Sequence, residues 1–384
     1  MRALTLVSRT LVVMARIVQG FSELSEYDRS VLVRSAADCN VAWAQRIADR
    51  HVEGGRVHRV DTLAHHAGTT THLRLQVHHD VGASLPSHWF VKTAPSHVLT
   101  RLLVCTVGLL ENEARFYTRF AANVPVQVPE CLAAAATRFS GIVVLHDLSA
   151  SGLRPGQAND VLSLEQVRGA LHALAALHAY GQQSAIRRDW HQNAHAMRLM
   201  EERLGNWFSP PLTRRGLKRA GQAVPARLHA PALEYARRRS AYQTVLRKAP
   251  HTLVHHDCHP GNWYWHQSRP GLLDWQLCRL GEGIGDVAYL LSTSLPPELL
   301  AEHEDALLQL YAEALIANGS DLAGGMTRLA RRYRMHLAYA FEAMLMTVAI
   351  GGFMPAASSM ELVRRTANAV DRNFSLTAAD LWGD

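Results

Sequence analysis

The strongest constraint on this chain is a pair of loop motifs that each follow an apolar pair. Residues 255–262 read HHDCHPGN, and residues 272–276 read LLDWQ. Leu253-Val254 and Leu272-Leu273 predict short buried strands that hold the two loops rigidly against each other. Within the first motif, Pro260-Gly261 supplies a turn. The motifs therefore predict two polar loops on a rigid support.

Asp257, Asn262 and Asp274 supply the oxygen atoms that phosphoryl transfer requires. A phosphoryl donor needs Mg²⁺ to neutralise charge on its phosphates, and it needs a carboxylate that accepts the proton of the attacking hydroxyl. Asp257 suits the second task. Asn262 follows five residues later on the same tight loop, so it can turn towards a metal ion that Asp274 also binds.

A histidine-rich metal site is the alternative interpretation of the first motif. The possible ligands are His255, His256, Asp257 and His259, in a chain that carries 22 histidines. Cys258, beside the candidate base, could be taken for a nucleophile, but phosphoryl transfer explains its neighbours better. The five cysteines are scattered without metal-type spacing, which predicts a reducing compartment and a cytoplasmic protein.

The two motifs resemble those of the aminoglycoside and choline kinase-like phosphotransferases, which share the protein-kinase fold. That family typically reads HGDxHxxN, then a hydrophobic pair and DxQ or DxE. Residues 274–276 (DWQ), 285–291 (GDVAYLL) and 307–311 (LLQLY) look most like the ecdysteroid-kinase-like branch.

This resemblance implies an ATP- and Mg²⁺-dependent kinase with a bilobal α+β fold. The smaller lobe would hold a β-sheet and one key helix, and the larger lobe would be mostly helical. Asp257 and His259 take the catalytic positions of the family motif, and Asn262 and Asp274 take the metal positions. His256 stands where the family usually has Gly, which leaves the local conformation of the loop open.

A kinase fold requires a lysine on an upstream strand and a glutamate on a following helix. Only three of the 40 basic residues are lysines, and Lys92 is the first of them. It lies in an aromatic and β-branched segment, residues 88–95, that predicts a strand. Residues 109–120 then have helical spacing. The resemblance assigns the lysine's partner to Glu113, with Glu111 as the alternative.

A polar turn upstream of the lysine is a candidate phosphate-binding loop. Residues 67–77 predict a turn that leads into a strand with alternating apolar residues. The amides and hydroxyls of Gly68, Thr69 and Thr70 can lie over phosphates. An ordinary hairpin turn is the alternative, because the segment lacks a protein-kinase glycine motif.

A second nucleotide-binding segment is predicted where residues 142–152 form a buried strand that ends in a polar turn. In a kinase-like chain this is the position of the hinge between the lobes. His146 replaces the Glu that the family commonly has there. We expect Leu145, Asp147 and Leu148 to contact the nucleotide, mostly through backbone groups.

The length of 384 residues and a hydrophobic content of 48% can fill two cores. We expect a helical N-terminal extension over residues 1–35. A nucleotide-binding lobe would cover residues 36–148 and end in the hinge. A helical lobe over residues 149–384 would then carry the catalytic loop, the metal loop and the acceptor site.

Three segments of the helical lobe carry their own signals. Ser163 as N-cap, with Gln166 at the capping-box position, predicts the start of a helix. Residues 210–225 contain prolines and basic residues, which indicates a basic surface loop or lid. Residues 339–350 predict a helix that is apolar nearly all round, either plain core or part of the acceptor site.

The net charge of +7 and the pI of about 9.4 raise nucleic-acid binding as a second class of function. The arginines are dispersed among acidic residues and no aromatic-basic module is recognisable, so we expect no nucleic-acid partner. Arg2, Arg9 and Arg16 interrupt the apolar N-terminal segment, so we expect no membrane span.

The predicted function is transfer of the ATP γ-phosphoryl group to a hydroxyl of a small molecule. A polycationic acceptor would favour an acidic pocket, so an uncharged or partly apolar acceptor suits a basic protein better. An antibiotic-resistance kinase of the aminoglycoside or macrolide type is one alternative. A catalytically weak pseudokinase, or a protein that binds phosphate or nucleic acid, is another. The sequence does not predict an oligomeric state.

Overall fold

The computed structural model describes residues 25–377, apart from residues 69, 81, 98–99, 102–103, 105–107, 138–139 and the side chains of residues 83, 184, 189 and 191–201. The chain folds into two compact units. The first ends at Ala122 and resumes over Pro129–Gly152. The second contains Asn123–Val128 and everything after Gly152. No helix in the described part combines the length and hydropathy needed to cross a bilayer.

A five-stranded antiparallel sheet organises the first unit. Its strands are β1 (Val57–Ala67), β2 (Thr71–His79), β3 (His88–Thr93), β4 (Cys131–Thr137) and β5 (Ser140–His146), in the order β1-β2-β3-β5-β4 across the sheet. Leu73, Leu75 and Val77 of β2 are buried and alternate with half-buried residues, the period-two pattern that the sequence predicts. Lys92 lies on β3, inside the sheet.

Three helices of the first unit are α1 (Glu26–Val31), α2 (Val41–His51) and α3 (Leu109–Arg119). Trp43 of α2 donates its indole N–H to the carbonyl of Val31 at 2.9 Å, and its ring meets Trp89 edge to face at 5.9 Å. The described end of the predicted N-terminal extension therefore belongs to the core of this unit. The helix predicted over residues 109–120 is confirmed as α3.

The second unit is mostly helical. Its helices are α4 (Leu164–Gly181), α5 (Ser184–Ala220), α6 (His229–Leu246), α7 (Ile284–Ser294), α8 (Pro297–Ala317), α9 (Met326–Ile350) and α10 (Ala356–Arg372). Two antiparallel ribbons pair β6 (Thr252–Val254) with β9 (Arg279–Gly281) and β7 (Trp263–His266) with β8 (Arg269–Leu272). The predicted capping box is confirmed, because Ser163 Oγ accepts the Gln166 N–H and Gln166 Oε1 accepts the Ser163 N–H.

The basic loop predicted over residues 210–225 is wrong for residues 210–220, which are helical. Helix α5 continues through two prolines to Ala220. Proline in a helix interior costs about 3 kcal/mol, and burial of Thr213 and Leu217 offsets that cost. Close packing on α9 adds to this, since a Cβ on Gly216 would lie 2.4 Å from the carbonyl oxygen of Leu345. Tertiary packing has overridden the local helix-breaking signal.

Candidate active site

Asp286, on α7, anchors the loop of residues 255–262, which we call the base loop. Its two carboxylate oxygens accept the backbone N–H groups of His255 and His256, each at 2.7 Å. His178 Nε2 lies 3.2 Å from the same carboxylate. Burial of Asp286 opposes its charge, but the bond and charge of His178, with His255, hold the pKa of Asp286 below its ordinary value. A fixed negative charge thus holds the start of the base loop.

His256 adopts a left-handed backbone conformation with φ of +71°. This is the conformation that Gly favours, and it costs roughly 1–2 kcal/mol for other residues. The hydrogen bond that the His256 N–H donates to Asp286 compensates for this cost, and the His256 ring stacks on Tyr339 with centroids 4.4 Å apart. Although His256 stands where the family usually has Gly, the left-handed turn still forms.

Asn262 is tied directly to Asp257. Its amide nitrogen donates to the Asp257 backbone carbonyl at 2.8 Å and to Asp257 Oδ2 at 3.1 Å. Its backbone N–H donates to the carbonyl of His259 at 3.0 Å, which closes a short turn. The amide nitrogen of Asn262 thus stabilises the base loop, and its amide oxygen is the atom that can bind a cation.

His255 and Asn262 connect the base loop to the loop that carries Asp274. His255 Nε2 contacts the carbonyl of Leu273 at 2.7 Å, and the Leu273 N–H donates to the carbonyl of Asn262 at 2.9 Å. The His255 ring also meets Trp275 edge to face at 4.8 Å. The predicted buried strands exist as β6 and β8. They do not pair with each other, because β6 pairs with β9 and β8 pairs with β7. The contacts of His255 and Asn262 therefore join the two loops.

Asp274 lies two residues after the end of β8 and has a φ of +57°. Non-glycine residues in this region concentrate at functional sites, where the surrounding structure enforces the conformation. Its carboxylate and the Asn262 amide are hard oxygen ligands of the kind that Mg²⁺ accepts. The donor chemistry therefore fits a magnesium ion.

His259 lies beside Asp257 and also shapes the turn. Its Nδ1 accepts the N–H of Gly261 at 3.0 Å, and its Nε2 lies 3.8 Å from Asp257 Oδ2. With Nδ1 used as an acceptor, a neutral His259 carries its proton on Nε2, on the side of Asp257. The geometry supports an orienting role for His259 next to Asp257.

The described residues do not support the alternative chemistries of this motif. They contain no group of three or more His, Cys, Asp and Glu side chains that could hold a metal ion. Cys258 is buried, and burial together with the charges of Asp286 and Asp257 raises the pKa of its thiol well above the ordinary value. A protonated, buried thiol is a poor nucleophile.

Tyr289 is a neighbour of Asp257 to which the sequence motifs assigned no role. Burial, and next the charge of Asp257 and a hydrogen bond to it, hold the pKa of the Tyr289 hydroxyl well above the ordinary value. The phenol therefore stays protonated and can donate to Asp257. The available signal was a carboxylate and a phenol three residues apart, Asp286 and Tyr289, in the otherwise apolar residues 284–291 of this helix.

In the first unit, Lys92 and Glu113 form a buried ion pair. Lys92 Nζ lies 2.9 Å from one carboxylate oxygen of Glu113 and 3.3 Å from the other. Their side chains are only 5% and 2% exposed. Glu111, the alternative partner, contacts Arg115 of the same helix at 3.2 Å. The structure thus brings together the lysine and the glutamate that the sequence pairs.

The candidate phosphate loop is the hairpin turn between β1 and β2. The Gly68 N–H donates to the carbonyl of Thr70 at 3.0 Å. Thr70 Oγ1 lies 2.8 Å from His72 Nε2, and His72 stands opposite Lys92 across β2 and β3. Thr69 lies outside the described residues. The hairpin turn therefore lies next to the strand that carries Lys92, whether it binds phosphate or is an ordinary turn.

The predicted hinge segment is the end of β5 and the turn after it. Leu145 is buried in β5, between β3 and β4. Asp147 caps the turn Leu148–Ser151, because its Oδ1 accepts the Ser149 N–H at 3.0 Å, and its other oxygen lies 3.5 Å from Arg74. The Asp147 carboxylate is therefore already bonded within this turn and to Arg74. Any nucleotide contact here would use backbone groups.

The sequence matches the model of the ecdysteroid kinase-like family over residues 67–323. Similar solved structures include choline kinase from Cryptosporidium parvum Iowa II, with TM-score 0.53, 9% identity and coverage of 87% of this chain and 96% of that chain. Plasmodium vivax ethanolamine kinase has a TM-score of 0.49 and 9% identity, with coverage of 87% of this chain and 87% of that chain. Macrolide 2'-phosphotransferase from Brachybacterium faecium has a TM-score of 0.41 and 18% identity, with coverage of 83% of this chain and 96% of that chain. No curated protein sequence matches.

The likeness to choline kinase confirms the predicted α+β, protein-kinase-like fold class. The matched residues 67–323 contain the lysine strand, the glutamate helix, the base loop and the loop of Asp274. They also make up well over half of the chain. On this evidence the chain belongs to the ecdysteroid kinase-like family.

Proposed function

We propose that this chain transfers the γ-phosphoryl group of ATP to a hydroxyl group of a partly apolar small molecule. The observation that carries the proposal is the hydrogen bond from Asn262 to Asp257, inside a loop that Asp286 anchors. It holds a candidate proton acceptor and a candidate metal ligand in one rigid unit. Membership of a kinase-like family supports the same chemistry.

Asp257 is the general base of the proposed reaction. It accepts the proton of the acceptor hydroxyl while the hydroxyl oxygen forms a bond to the γ-phosphorus and the bond from that phosphorus to ADP breaks. The Asn262 amide and the Tyr289 hydroxyl both reach the carboxylate. These contacts orient the Asp257 carboxylate, because both groups donate hydrogen bonds to it.

Asn262 and Asp274 are the proposed magnesium ligands, and Lys92 is the proposed phosphate contact. When bound, Mg²⁺-ATP supplies the phosphoryl group and the cation neutralises charge on it. Glu113 holds Lys92 in one position through their buried ion pair. A compact ammonium fits between phosphate oxygens better than a planar guanidinium does.

A screen of hydroxylated compounds for acceptor-dependent ADP release tests this proposal, with the phosphorylated product confirmed by mass. Asp257→Asn is the matched control, because it removes proton acceptance and keeps the side-chain shape. Release that needs an acceptor and is lost in the variant supports the proposal. An acceptor-independent signal of equal size in both proteins would argue for a pseudokinase or a phosphate-binding protein instead.

A further inference from the structure

The solvent side of α5 carries two aromatic rings and a set of cations. Trp207 is 81% exposed and the adjacent Phe208 is 52% exposed. At 3.6 residues per turn, four exposed basic residues of α5 lie on the same side of the helix as these rings. We call this surface the α5 face, and its residues are Arg203, Trp207, Phe208, Arg214, Arg215 and Lys218.

The opposite side of α5 is fixed in the second unit. Ser209, Thr213 and Leu217 are buried there, and the Ser209 hydroxyl donates a hydrogen bond to Glu342 of α9. These buried residues recur every four positions, so one side of α5 packs inward and the other faces solvent. The α5 face therefore belongs to a helix that packing holds in place.

The α5 face carries positive charge without negative charge. The sequence contains no Asp or Glu between Glu202 and Glu234. Helices α6 and α9, which pack on α5, contribute one carboxylate each. Glu234 of α6 lies 3.3 Å from Arg237, and Glu342 of α9 lies 3.0 Å from Arg239. Both carboxylates thus pair away from the α5 face, which keeps four positive charges beside two exposed rings.

A phospholipid membrane with anionic headgroups matches both properties of this face. Its headgroups attract Arg and Lys, and Trp and Phe rings enter the boundary between headgroups and acyl chains. A second copy of this chain fits poorly, because pairing two α5 faces would place four cations against four. A nucleic-acid duplex offers phosphates but no apolar phase for two adjacent rings.

We propose that the α5 face docks on a membrane surface that contains anionic phospholipids. The rings of Trp207 and Phe208 enter the headgroup boundary, and the four cations lie over the lipid phosphates. Helix α5 stays packed on its own unit and lies on the membrane without crossing it. This inference goes beyond the proposed phosphoryl transfer and does not depend on it.

Flotation of the full-length protein with large vesicles tests the proposal. One set of vesicles contains phosphatidylcholine alone, and the other contains equal parts of phosphatidylcholine and phosphatidylglycerol. We expect the protein to bind the anionic vesicles much more strongly than the neutral ones. Added sodium chloride should weaken this binding, because salt screens the attraction between exposed charges.

A triple charge variant localises the binding. Changing Arg214, Arg215 and Lys218 together to Gln should lower the partition coefficient roughly hundredfold, because each cation near an anionic surface contributes about fivefold. The matched control removes the same charge elsewhere, at three exposed arginines on other parts of the chain. They are Arg56, Arg168 and Arg328, and changing them together to Gln should alter the partition by less than about threefold.

Trp207→Ser tests the aromatic contact separately from the charges. It should lower the partition coefficient roughly tenfold, because a buried aromatic ring is lost from the lipid boundary. The blue shift of tryptophan fluorescence on anionic vesicles should be lost with it. Leu63→Ser is the control, because Leu63 is 54% exposed on β1 and lies outside the α5 face. It should bind as the parent does.

Four outcomes would overturn the proposal. The first is that the parent does not bind anionic vesicles, and the second is equal loss in the triple charge variant and its control. The third is unchanged binding in Trp207→Ser, which would show adsorption by charge alone. The fourth assigns the α5 face to another partner, either a duplex oligonucleotide that binds more tightly than the vesicles or a dimer in sedimentation that Trp207→Ser abolishes.

Discussion

The carboxylate of Asp286 accepts the backbone N–H of His256 at 2.7 Å, at a residue with a φ of +71°. The bond crosses 30 positions of sequence and holds a strained turn directly before the candidate base. His178 and, behind it, Tyr311 continue this network into the core at 3.2 and 2.8 Å. The geometry of the base loop therefore depends on helices far from it in sequence.

His256→Gly and His256→Ala separate the backbone strain from the ring contact. Both variants lose the stack on Tyr339, but only Ala keeps a Cβ in the left-handed conformation. We expect Ala to be the less stable of the two by about 1 kcal/mol in urea unfolding. Equal stability of the two variants, or a more stable Ala variant, would show that His256 is not strained.

The Lys92–Glu113 pair predicts non-additive losses of activity. Lys92→Arg keeps the charge but places a planar group where an ammonium fits, so phosphoryl transfer should fall severely in a folded protein. Glu113→Gln should give a similar loss, because the lysine loses its charged anchor. The double variant should lose much less transition-state stabilisation than the sum of the losses in the two single variants.

Steady-state transfer rates, with circular dichroism as the check on folding, measure this cycle. Glu111→Gln is its control, because Glu111 pairs with Arg115 on the same helix. It should leave transfer within about twofold of the parent, because Lys92 keeps its ion pair with Glu113. Near-normal transfer in Lys92→Arg, or additive losses in the double variant, would mean that the pair has another role.

Removal of the Asp274 carboxylate should weaken nucleotide binding only when magnesium is present. Asp274→Ala deletes one of two proposed hard oxygen ligands, so ADP affinity in Mg²⁺ should fall about tenfold or more. Calorimetry with and without Mg²⁺ measures the difference. Asp274→Asn separates ligand loss from backbone strain, because Asn tolerates a positive φ better than Ala.

The zinc content of the purified protein tests the alternative assignment, a histidine-rich zinc site. Stoichiometric zinc in the purified protein, lost when His255 and His259 are changed together, would contradict the magnesium assignment. An unchanged magnesium dependence in Asp274→Ala would contradict it as well.

Glu282 should contribute to the acid sensitivity of folding. Burial favours its neutral form, but the bonds and charges of His336 and Arg332 outweigh burial and lower its pKa in the folded protein to about 2, against an ordinary value of 4.5. Because the folded value is the lower one, its stabilisation is present above pH 4.5 and is lost as the pH falls towards about 2. The stability advantage of the parent over Glu282→Gln should therefore shrink across this window.

Urea unfolding of both proteins at several acidic pH values measures that advantage. Glu234→Gln is the matched control, because Glu234 pairs with Arg237 at the surface and should leave the pH dependence unchanged. A difference between the parent and Glu282→Gln that stays constant with pH would contradict the assignment.

The parts of the site that are local in sequence could be predicted, and the parts that rest on long-range contacts could not. The base loop is one contiguous string, and Lys92 was distinguished by the rarity of lysine and its strand context. Asp286 and Tyr289 were not assigned, because no spacing shows which buried carboxylate meets which loop 30 residues away. Helix α5 was missed for the same reason, since packing on α9 outweighs its prolines.

The central claim is that Asp257 accepts the proton of the acceptor hydroxyl. Its most direct test is the single-turnover rate of phosphoryl transfer in the parent and in Asp257→Asn, at saturating ATP and acceptor. General-base catalysis is worth roughly 10²–10⁴ in rate, so the variant should fall by that factor while its ATP affinity changes less than about threefold. A transfer rate within about threefold of the parent would contradict the account.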